Sequence, residues 1–531
     1  MRAIDYFDKG ADANPDRTAV VDGDARYSYR DTRSITESIA RAMWACGLDG
    51  EQCAGILSHN DARVLFCMLG IMRAGAVWVP INYRNAMDAN VDYMNYVEMT
   101  WLFYHSNFRD SVAEIELRVP SLRHLICIDG DEDHPSLAAF MARGASAEDV
   151  AWADPYGNVD RLVGLVPTGG TTGPAKGVRV TSLAWGTMTE MATHYWKGDC
   201  ADPVCLNTAP LSHAAGVVAF TMCALGATNV IMPRFDALEV LRNIECFRVT
   251  HLFLPPTAFY NLLAHPEVRN FDYSSLRVFL LAGSPVSPDK LKRGVEIFGP
   301  CMCQSYGQTE APMLLTFLDA KTVAAAAGGD HPERLGSCGK PTSAIRLAVV
   351  DDEGQLLQPY ERGEIVARGS LVTGGYYKMP DATAEIRMHG WHHTGDVGYI
   401  DVEGYVYIVD RKKDMIITGG FNVYCAEVEA GIMALPQVHE CAVIGVPHDK
   451  WGEAVKAIVV LKNGEPLSAE AVIGHCKEKL GGVKAPKTVE FWQEIPKTAA
   501  GKIDRKTIRQ PFWASDLQRE ARPQFHAECN V

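Results

Sequence analysis

Short apolar runs alternate with amphipathic stretches along the first four hundred residues. Residues 52–58 form one apolar run, residues 62–74 follow with a helical pattern, and residues 76–80 form the next run. Further apolar runs occupy residues 163–167, 250–254 and 278–281, and each ends at or shortly before Pro, Gly or Ser. This alternation predicts a layered α/β fold, in which loops after the strands commonly carry ligand-binding groups.

The pattern changes after residue 409, where a charge cluster over residues 410–414 precedes a compact set of strand and helix patterns. A chain of 531 residues also exceeds the roughly 100–200 residues of one ordinary domain. We therefore expect a large domain of layered α/β subdomains, a hinge and a small mobile α+β domain, over residues 1–410, 411–414 and 415–531.

Composition is that of a soluble globular protein, with 47% apolar and 22% charged residues. The formal charge of −14 argues against a nucleic-acid-binding surface. The fifteen cysteines lack zinc-site spacing and predict free thiols. The N-terminus shows no signal-peptide pattern, so we expect a cytoplasmic protein. From the net charge we expect no nucleic-acid partner. A homodimer stays open.

Two segments are notable for their lack of charged residues. Residues 214–232 run nineteen residues without a charge, but Gly, Thr and Asn dilute them, so a buried helix and strand are predicted instead of a membrane span. Residues 324–329 read AAAAGG and are interpreted as a surface loop.

A segment rich in glycine and threonine directly follows the apolar run at residues 162–166. Residues 167–178 read PTGGTTGPAKGV. Glycines let backbone N–H groups approach a polyphosphate, threonines add hydroxyl donors and a lysine adds positive charge. Five residues separate Gly170 from Lys176, so this is not a Walker loop. We predict a phosphate-binding loop, with a flexible turn as the alternative, made of Thr168, Gly169, Gly170, Thr171, Thr172, Gly173 and Lys176.

Four more motifs follow in order along the chain. They read QSYGQTE at residues 304–310, WHHTGD at 391–396, YIVDRKKDMIITGGFNVY at 407–424 and PKTAAGKIDR at 496–505. In the first, Tyr306 could stack on adenine, Thr309 could donate to a phosphate and Glu310 could ligate magnesium, a hard cation that prefers oxygen. Each has a plainer interpretation: a turn before a helix capped by Thr309, a Gly-Asp turn, a solvated charge run and a solvent-exposed lysine.

Together the five motifs resemble the acyl-adenylate-forming superfamily, which contains acyl-CoA synthetases, adenylation domains of peptide synthetases and firefly luciferase. The resemblance extends from residues 15–21 and 75–82 to Lys502. Gly169 stands where the family has serine, and Pro174 is displaced by one position. Phe421 and Cys425, which follow the hinge, also depart from the family pattern. By the resemblance, these two departures concern thiol binding and not adenylation.

The resemblance implies a role for each motif. Lys502 would bridge the substrate carboxylate and the α-phosphate of ATP, with Thr309 and Glu310 as further catalytic residues and Glu310 as the Mg²⁺ ligand. Asp396 would accept hydrogen bonds from the ribose, Arg411 would reach the ribose or phosphates, and Lys413 would lie at the hinge. The remaining residues implied to bind ATP or CoA are Gly283, Ser284, Pro285, Gln304, Ser305, Tyr306, Gly307, Gly419 and Gly420.

Family position also suggests an acyl pocket whose walls carry small side chains. A long or bulky apolar acid would fit, and no Asp or Arg is present there to pair with a second substrate charge. His213 would gate or line the pocket, although a structural histidine is the alternative. The assigned pocket residues are His213, Gly216, Val217 and Ala258.

We therefore expect an ATP-dependent acid:CoA ligase that forms an acyl-adenylate, releases pyrophosphate, and then transfers the acyl group to CoA with release of AMP. The small domain would present Lys502 first and the face carrying Gly419 and Gly420 after rotating about Lys413. The alternatives are an enzyme that loads a carrier protein, a luciferase-like oxidase and an ATP-binding protein without catalysis.

Overall fold

The computed structural model describes residues 1–130, 133–145, 158–168, 175–212, 214–448, 450–462, 465–498 and 502–513. The chain divides into two compact units. The first contains Met1–Thr394 and Gly398–Ile408, and the second contains Gly395–Val397 and Val409–Val531. The main boundary thus falls beside residue 410, while the hinge at residues 411–414 stays a prediction.

The strands of both units, in chain order, are β1 Thr18–Asp22, β2 Ala25–Ser28, β3 Cys53–Leu57, β4 Val77–Pro80, β5 Trp101–Tyr104, β6 His124–Cys127, β7 Leu162–Pro167, β8 Gly177–Thr181, β9 Val204–Asn207, β10 Thr228–Ile231, β11 His251–Leu254, β12 Val278–Leu281, β13 Met302–Gln308, β14 Ala311–Leu318, β15 Lys340–Pro341, β16 Ile345–Val350, β17 Gly363–Gly369, β18 Arg387–Met388, β19 Trp391–Ile400, β20 Val406–Arg411, β21 Ile416–Thr418, β22 Phe421–Val423, β23 Val438–His448, β24 Gly452–Leu461 and β25 Thr488–Phe491.

The α-helices are α1 Asp5–Ala13, α2 Tyr29–Ala45, α3 Ala62–Ala74, α4 Met87–Tyr96, α5 Arg109–Arg118, α6 Leu137–Arg143, α7 Ser182–Trp196, α8 Ala214–Ala224, α9 Ala237–Cys246, α10 Pro256–Ala264, α11 Pro288–Phe298, α12 Ala320–Ala327, α13 Pro380–Glu385, α14 Cys425–Met433, α15 Ala469–Lys484 and α16 Arg505–Arg509. Short 3-10 turns lie at Ser106–Phe108, Pro332–Gly336 and Gln510–Phe512.

Two large sheets organise the first unit. One has the strand order β15-β14-β13-β12-β11-β9-β10-β1-β2, and the other has the order β6-β5-β3-β4-β7-β8. Their central strands pair in parallel, with helices between successive strands, as in other layered α/β folds. The predicted α/β class and the predicted apolar strands are confirmed, because β3, β4, β7, β11 and β12 fall on those runs.

Helix α3 lies deep in the first unit, with nearly every residue buried. Apart from Arg63 and Arg73 its residues are apolar, as expected for a helix that is enclosed by other elements instead of facing water. The uncharged segment at residues 214–232 folds as α8 and β10, both largely buried, which confirms that prediction. Within the described residues, no helix combines the length and apolar character that crossing a membrane requires.

The prediction of a surface loop at residues 324–329 was wrong in part. Helix α12 continues to Ala327, and its first turn is capped by Asp319, whose side chain accepts from the N–H of Thr322. Alanine has the highest intrinsic helix propensity, so an Ala run behind a good cap forms a helix. Only the glycines that follow it end the helix.

The remaining two sheets are smaller. The sheet of β16, β17, β19 and β18, with β20 beside β19, lies mainly in the first unit. The second unit is built on the order β22-β21-β24-β23, with β25 beside β24. Its core packs the inner faces of β23 and β24 against α14 and α15.

The cysteines among the described residues are free thiols, as predicted. Most are buried, and burial raises the pKa of several of them, including Cys53 and Cys223 to about 12. Such thiols stay protonated near neutral pH and are poor nucleophiles.

Candidate active site

The predicted phosphate loop connects β7 and β8, which pair antiparallel up to Pro167 and Gly177. Residues Gly169, Gly170, Thr171, Thr172 and Gly173 lie outside the described residues, but both ends of the loop are described. The N–H of Thr168 donates to the carbonyl of Lys176 at 2.9 Å, and the N–H of Lys176 donates to Oγ1 of Thr168 at 3.1 Å. This reciprocal pair closes the base of the loop.

Lys176 and Glu310 both contact Tyr376. The Nζ atom of Lys176 lies 4.8 Å from the centre of the Tyr376 ring, and the Tyr376 hydroxyl donates to Oε1 of Glu310 at 2.7 Å. Burial, and then the negative charge of Glu310, raises the pKa of Tyr376, so its hydroxyl remains a hydrogen-bond donor. One tyrosine therefore holds a cation and a carboxylate that are 134 positions apart in the sequence.

Sequence reasoning missed Tyr376, because an aromatic residue in a Gly-Gly-Tyr-Tyr segment carries no chemical signature of its own. The structure explains its position. Residues 375–377 run alongside β8, where the N–H of Arg179 donates to the carbonyl of Gly375 and the N–H of Tyr377 donates to that of Gly177. In addition, the N–H of Thr373 donates to the carbonyl of Glu310 at 2.7 Å.

The QSYGQTE motif begins inside a strand. Gln304, Ser305 and Tyr306 are buried in β13. Gly307 is required by close packing, since a Cβ there would lie 2.4 Å from the backbone nitrogen of Met313. Thr309 and Glu310 form the turn between β13 and β14, so the alternative of a helix capped by Thr309 is wrong.

Gly283, Ser284 and Pro285 form an exposed loop after the carboxyl end of β12. Gly283 has φ of +97°, a conformation that residues with a Cβ rarely adopt. The position of this loop agrees with the rule that ligands of parallel sheets bind beyond the carboxyl ends of strands. Its role in ligand binding stays a prediction.

The predicted acyl-pocket residues lie on two helices. Gly216 and Val217 are in the first turn of α8, and Ala258 is in the first turn of α10. A Cβ on Gly216 would lie 1.9 Å from the carbonyl oxygen of Leu211, so only glycine fits there. Val217 and Ala258 pack against different apolar clusters, and His213 lies outside the described residues. The acyl pocket therefore stays a prediction.

In the second unit, Asp396 and Arg411 form an ion pair. Asp396 belongs to β19 and its side chain is 3% exposed, and Nε of Arg411 lies 2.6 Å from its Oδ1. The N–H of Lys412 donates to the carbonyl of Gly395 at 2.8 Å. The Thr-Gly-Asp motif thus lies within a strand, with Gly395 at φ of +69°, so the interpretation as a Gly-Asp turn is wrong.

Lys502 lies on a short hairpin near the end of the described chain. The N–H of Thr498 donates to the carbonyl of Lys502 at 2.7 Å, and the N–H of Lys502 donates to Oγ1 of Thr498 at 3.3 Å. Lys497 and Ile503 pair just outside them. Residues 499–501 lie outside the described residues.

The pKa of Lys502 is lowered, first by partial removal of its ammonium group from water and then by the positive charge of Arg411. Asp396 opposes this shift and Lys413 adds to it, so these four residues act on one another electrostatically. The surrounding protein likewise lowers the pKa of Lys413. A region with several cations and a lowered lysine pKa is suited to receive an anion.

Gly419 and Gly420 form the two-residue turn between β21 and β22. Both have positive φ, of +56° and +83°, as a tight hairpin turn requires. A Cβ on Gly420 would meet nothing within 4 Å, so that face is open. Phe421 follows with 60% of its surface exposed.

A buried charge cluster lies beneath the predicted hinge. Arg505 donates to both carboxylate oxygens of Glu429, at 2.7 and 2.8 Å, and Arg509 lies 3.4 Å from Asp414. Burial raises the pKa of Asp410 to about 6, although its carboxylate also accepts from the N–H of Arg411. Within the described residues, the second carboxylate oxygen of Asp410 has no hydrogen-bond partner.

Comparison with known proteins agrees with this arrangement. Residues 7–377 match the AMP-binding enzyme family, and residues 427–502 match the AMP-binding enzyme C-terminal domain. A medium/long-chain-fatty-acid–CoA ligase of Mycobacterium tuberculosis is 42% identical over 509 residues, which cover 92% of this chain and 86% of that protein. A feruloyl-CoA synthase of an Amycolatopsis species is 34% identical, covering 94% of this chain and 96% of that protein.

Among solved structures, the amide bond synthetase McbA from Marinactinospora thermotolerans superimposes with a TM-score of 0.87 at 27% identity, covering 97% of this chain and 100% of that one. The first match contains the motifs at residues 167–178 and 304–310, the second contains most of the motif at residues 496–505, and the other two motifs lie between the matches. The chain therefore belongs to the AMP-binding enzyme family, and its relatives include acyl-CoA ligases across nearly its whole length.

Proposed function

We propose that this protein is an ATP-dependent carboxylic acid:CoA ligase that acts on an apolar acid. The observation that carries the proposal is the shared contact of Lys176 and Glu310 with Tyr376, which brings a lysine of the predicted phosphate loop and a carboxylate onto one side chain. An adenylating enzyme needs both groups, because it must hold a polyphosphate and its metal ion. The family membership and the named relatives support the same reaction.

The reaction has two halves. In the first, an oxygen of the substrate carboxylate attacks the α-phosphorus of ATP, and the bond to the β-phosphate breaks to release pyrophosphate. In the second, the CoA thiol loses its proton and attacks the carbonyl carbon of the acyl-adenylate, and AMP leaves. Adenylate is a weak base, so the enzyme contributes mainly by positioning the reactants and by stabilising charge.

We assign the roles of the charged groups from the family resemblance of their motifs together with their chemistry. Lys502 would neutralise charge between the carboxylate and the α-phosphate, and its pKa is lowered first by partial removal from water and then by the positive charge of Arg411. Lys176 would contact the outer phosphates, and Thr309 would donate a hydrogen bond to a phosphate oxygen. Asp396 and Arg411, already paired, would contact the ribose and its phosphate.

The residues present fit a magnesium ion that accompanies ATP. Glu310 offers a carboxylate with one oxygen bound by the Tyr376 hydroxyl, which orients the other oxygen. Mg²⁺ is usually held by one or two carboxylates together with substrate phosphates, so a single glutamate is a sufficient protein contribution. When bound, the ion would offset negative charge on the phosphates.

The acid is proposed to be uncharged beyond its carboxylate. Residues 210–217 and 253–259, which include Gly216, Val217 and Ala258, contain no Asp, Glu, Lys or Arg. The small side chains favour a fatty, aromatic or alicyclic body, as do the relatives named for fatty acids and for ferulate. A second charged group on the acid would be buried there without a partner, which is costly.

The test is a panel of fatty, aromatic, alicyclic and dicarboxylic acids supplied with ATP, magnesium and CoA. We expect acid-dependent pyrophosphate release and a CoA thioester by mass spectrometry, with dicarboxylic acids the poorest substrates. Pyrophosphate release without acyl-CoA would favour a carrier protein as the acceptor, and amide formation with an added amine would favour an amine acceptor. If none of the acids in the panel led to pyrophosphate release, the proposal would be refuted.

A further inference from the structure

Asn60 lies in the short connection between β3 and α3, and the residue is 9% exposed. Its Nδ2 donates to the carbonyl oxygens of Ala209 at 2.8 Å and Met232 at 3.0 Å, and its Oδ1 accepts from the N–H of Leu211 at 2.8 Å. Both amide hydrogens are therefore used. The opposite orientation of the amide would place an oxygen against two carbonyl oxygens, so the network fixes its direction.

These contacts lie at one edge of the nine-stranded sheet. Strands β9, β10 and β1 are parallel neighbours, and Asn60 binds the backbone just beyond the ends of the first two. Next to it, the N–H of Ala62 donates to the carboxylate of Asp22, the last residue of β1, at 2.9 Å. The turn at residues 60–62 therefore joins the six-stranded sheet to three strand ends of the other sheet.

The loop that Asn60 holds supports the beginning of α8. The Leu211 carbonyl is so close to Gly216 that a Cβ there would lie 1.9 Å from its oxygen. The same Cβ would lie 3.4 Å from Sδ of Met68, which belongs to the helix that follows Asn60. The position of the first turn of α8 therefore depends on the backbone at Leu211.

We propose that Asn60 is a positioning residue for the acid-binding pocket. By fixing residues 209–211, it sets the position of Gly216 and Val217 and with it the space available to the acyl chain. The inference depends on the proposed function, because that function assigns these residues to the acid. It does not involve the residues assigned to ATP.

The test compares Asn60→Ala with Asn90→Ala in the full-length protein. Asn90 is also a buried asparagine of the first unit, 7% exposed, and its amide bonds to Asn82 and Asn85. KM for the best acid, KM for ATP and the preferred acyl length are measured by pyrophosphate release. For Asn60→Ala we expect KM for the acid to rise about tenfold and the length preference to shift, with KM for ATP changing less than twofold. For Asn90→Ala we expect a lower Tm without that split.

A parallel rise of both KM values, or no change in either, would overturn the inference. Should Asn60→Ala fail to fold, Asn60→Asp replaces it, since that change keeps the acceptor for Leu211 and removes both donors. An Asp variant that folds with an unchanged acid preference would equally overturn it. Failure of the proposed function is distinguishable, because the unmodified protein would then release no pyrophosphate with any acid.

Discussion

The hairpin that carries Lys176 and the hairpin that carries Lys502 have the same closing hydrogen bonds but different surroundings. In both, a threonine N–H donates to the lysine carbonyl, and the lysine N–H donates back to the threonine Oγ1. The first lysine then lies over an aromatic ring, whereas the second is accompanied by Arg411 and Lys413. The closing hydrogen bonds thus fix the position of each lysine backbone. The neighbouring side chains determine how the charge of each lysine is stabilised.

The difference suggests that the two lysines have different roles. A lysine over a tyrosine face is stabilised before any ligand binds, because the ring attracts the cation. A lysine with a lowered pKa, beside other cations, is stabilised most when an anion arrives. Lys502 should therefore respond more strongly to charge that develops during reaction, and Lys176 should contribute mainly to binding.

The largest expected effect is that of Lys502→Ala. We expect acyl-adenylate formation to fall by about 10³-fold, because a cation is lost where charge develops in the transition state. Supplied with synthetic acyl-adenylate, the variant should still form acyl-CoA at nearly the parental rate. Single-turnover measurement of each half-reaction checks this. Lys497→Ala is the matched control, since that lysine lies on the same hairpin and pairs with Glu440; equal damage to both half-reactions would contradict the assigned role.

Tyr376 should show the next largest effect. Tyr376→Leu removes both the ring beneath Lys176 and the hydroxyl on Glu310, and we expect KM for ATP to rise by about ten- to a hundredfold. Tyr376→Phe keeps the ring, so its main effect should be a higher magnesium requirement. Initial rates over a matrix of ATP and magnesium concentrations separate the two, with Tyr377→Phe as the neighbouring control. Identical behaviour of the Phe and Leu variants would mean that the ring contributes nothing.

The closing threonines should give smaller, comparable effects. Thr168→Val and Thr498→Val each remove the Oγ1 acceptor of one hydrogen bond, worth about 1 kcal/mol, or roughly fivefold in rate if the lysine shifts. We expect Thr168→Val to raise KM for ATP and Thr498→Val to lower kcat for adenylation. Steady-state kinetics with both substrates varied would reveal this, and the reverse assignment would show that the two hairpins do not differ as proposed.

The last expected effect concerns the folding stability of the second unit and not catalysis. Burial raises the pKa of Asp410 from 3.8 to about 6, so this group favours the folded state at low pH, and that contribution is lost as the pH rises through about 6. At each pH, the unfolding free energy of Asp410→Asn is compared with that of the parent protein. This difference should favour the variant by about 1–3 kcal/mol more at pH 8 than at pH 4. Urea unfolding at the two pH values measures this. Asp24→Asn, at an exposed position, is the control for the substitution itself, and a pH-independent difference for Asp410→Asn would contradict the prediction.

The sequence predicted the fold where local pattern decides it. The apolar runs became β3, β7, β11 and β12, and the uncharged segment became a helix and a strand, because burial of apolar side chains dominates folding. At residues 324–329, glycine suggested a loop, whereas four alanines behind the Asp319 cap extended α12. There the helix propensity of alanine outweighed the tendency of glycine to form a loop.

The candidate site was predicted at its motifs and missed at its connections. Lys176, Glu310 and Lys502 carry chemistry that a motif can reveal. Tyr376 and Asn60 act through contacts across 66 and about 150 positions of sequence, to Glu310 and to residues 209–211. No spacing rule encodes such contacts, because they depend on which strands become neighbours.

Gly216 limits how the proposed acid pocket can be redesigned. Since even one added methyl group there would collide with the Leu211 carbonyl, mutational libraries that aim to shorten the accepted acyl chain should leave this position unchanged. Val217 and Ala258 are partly exposed, so we expect larger side chains to be tolerated more readily at these two positions. Substrate range in laboratory evolution should therefore change through those two positions, while position 216 should return to glycine in every active variant.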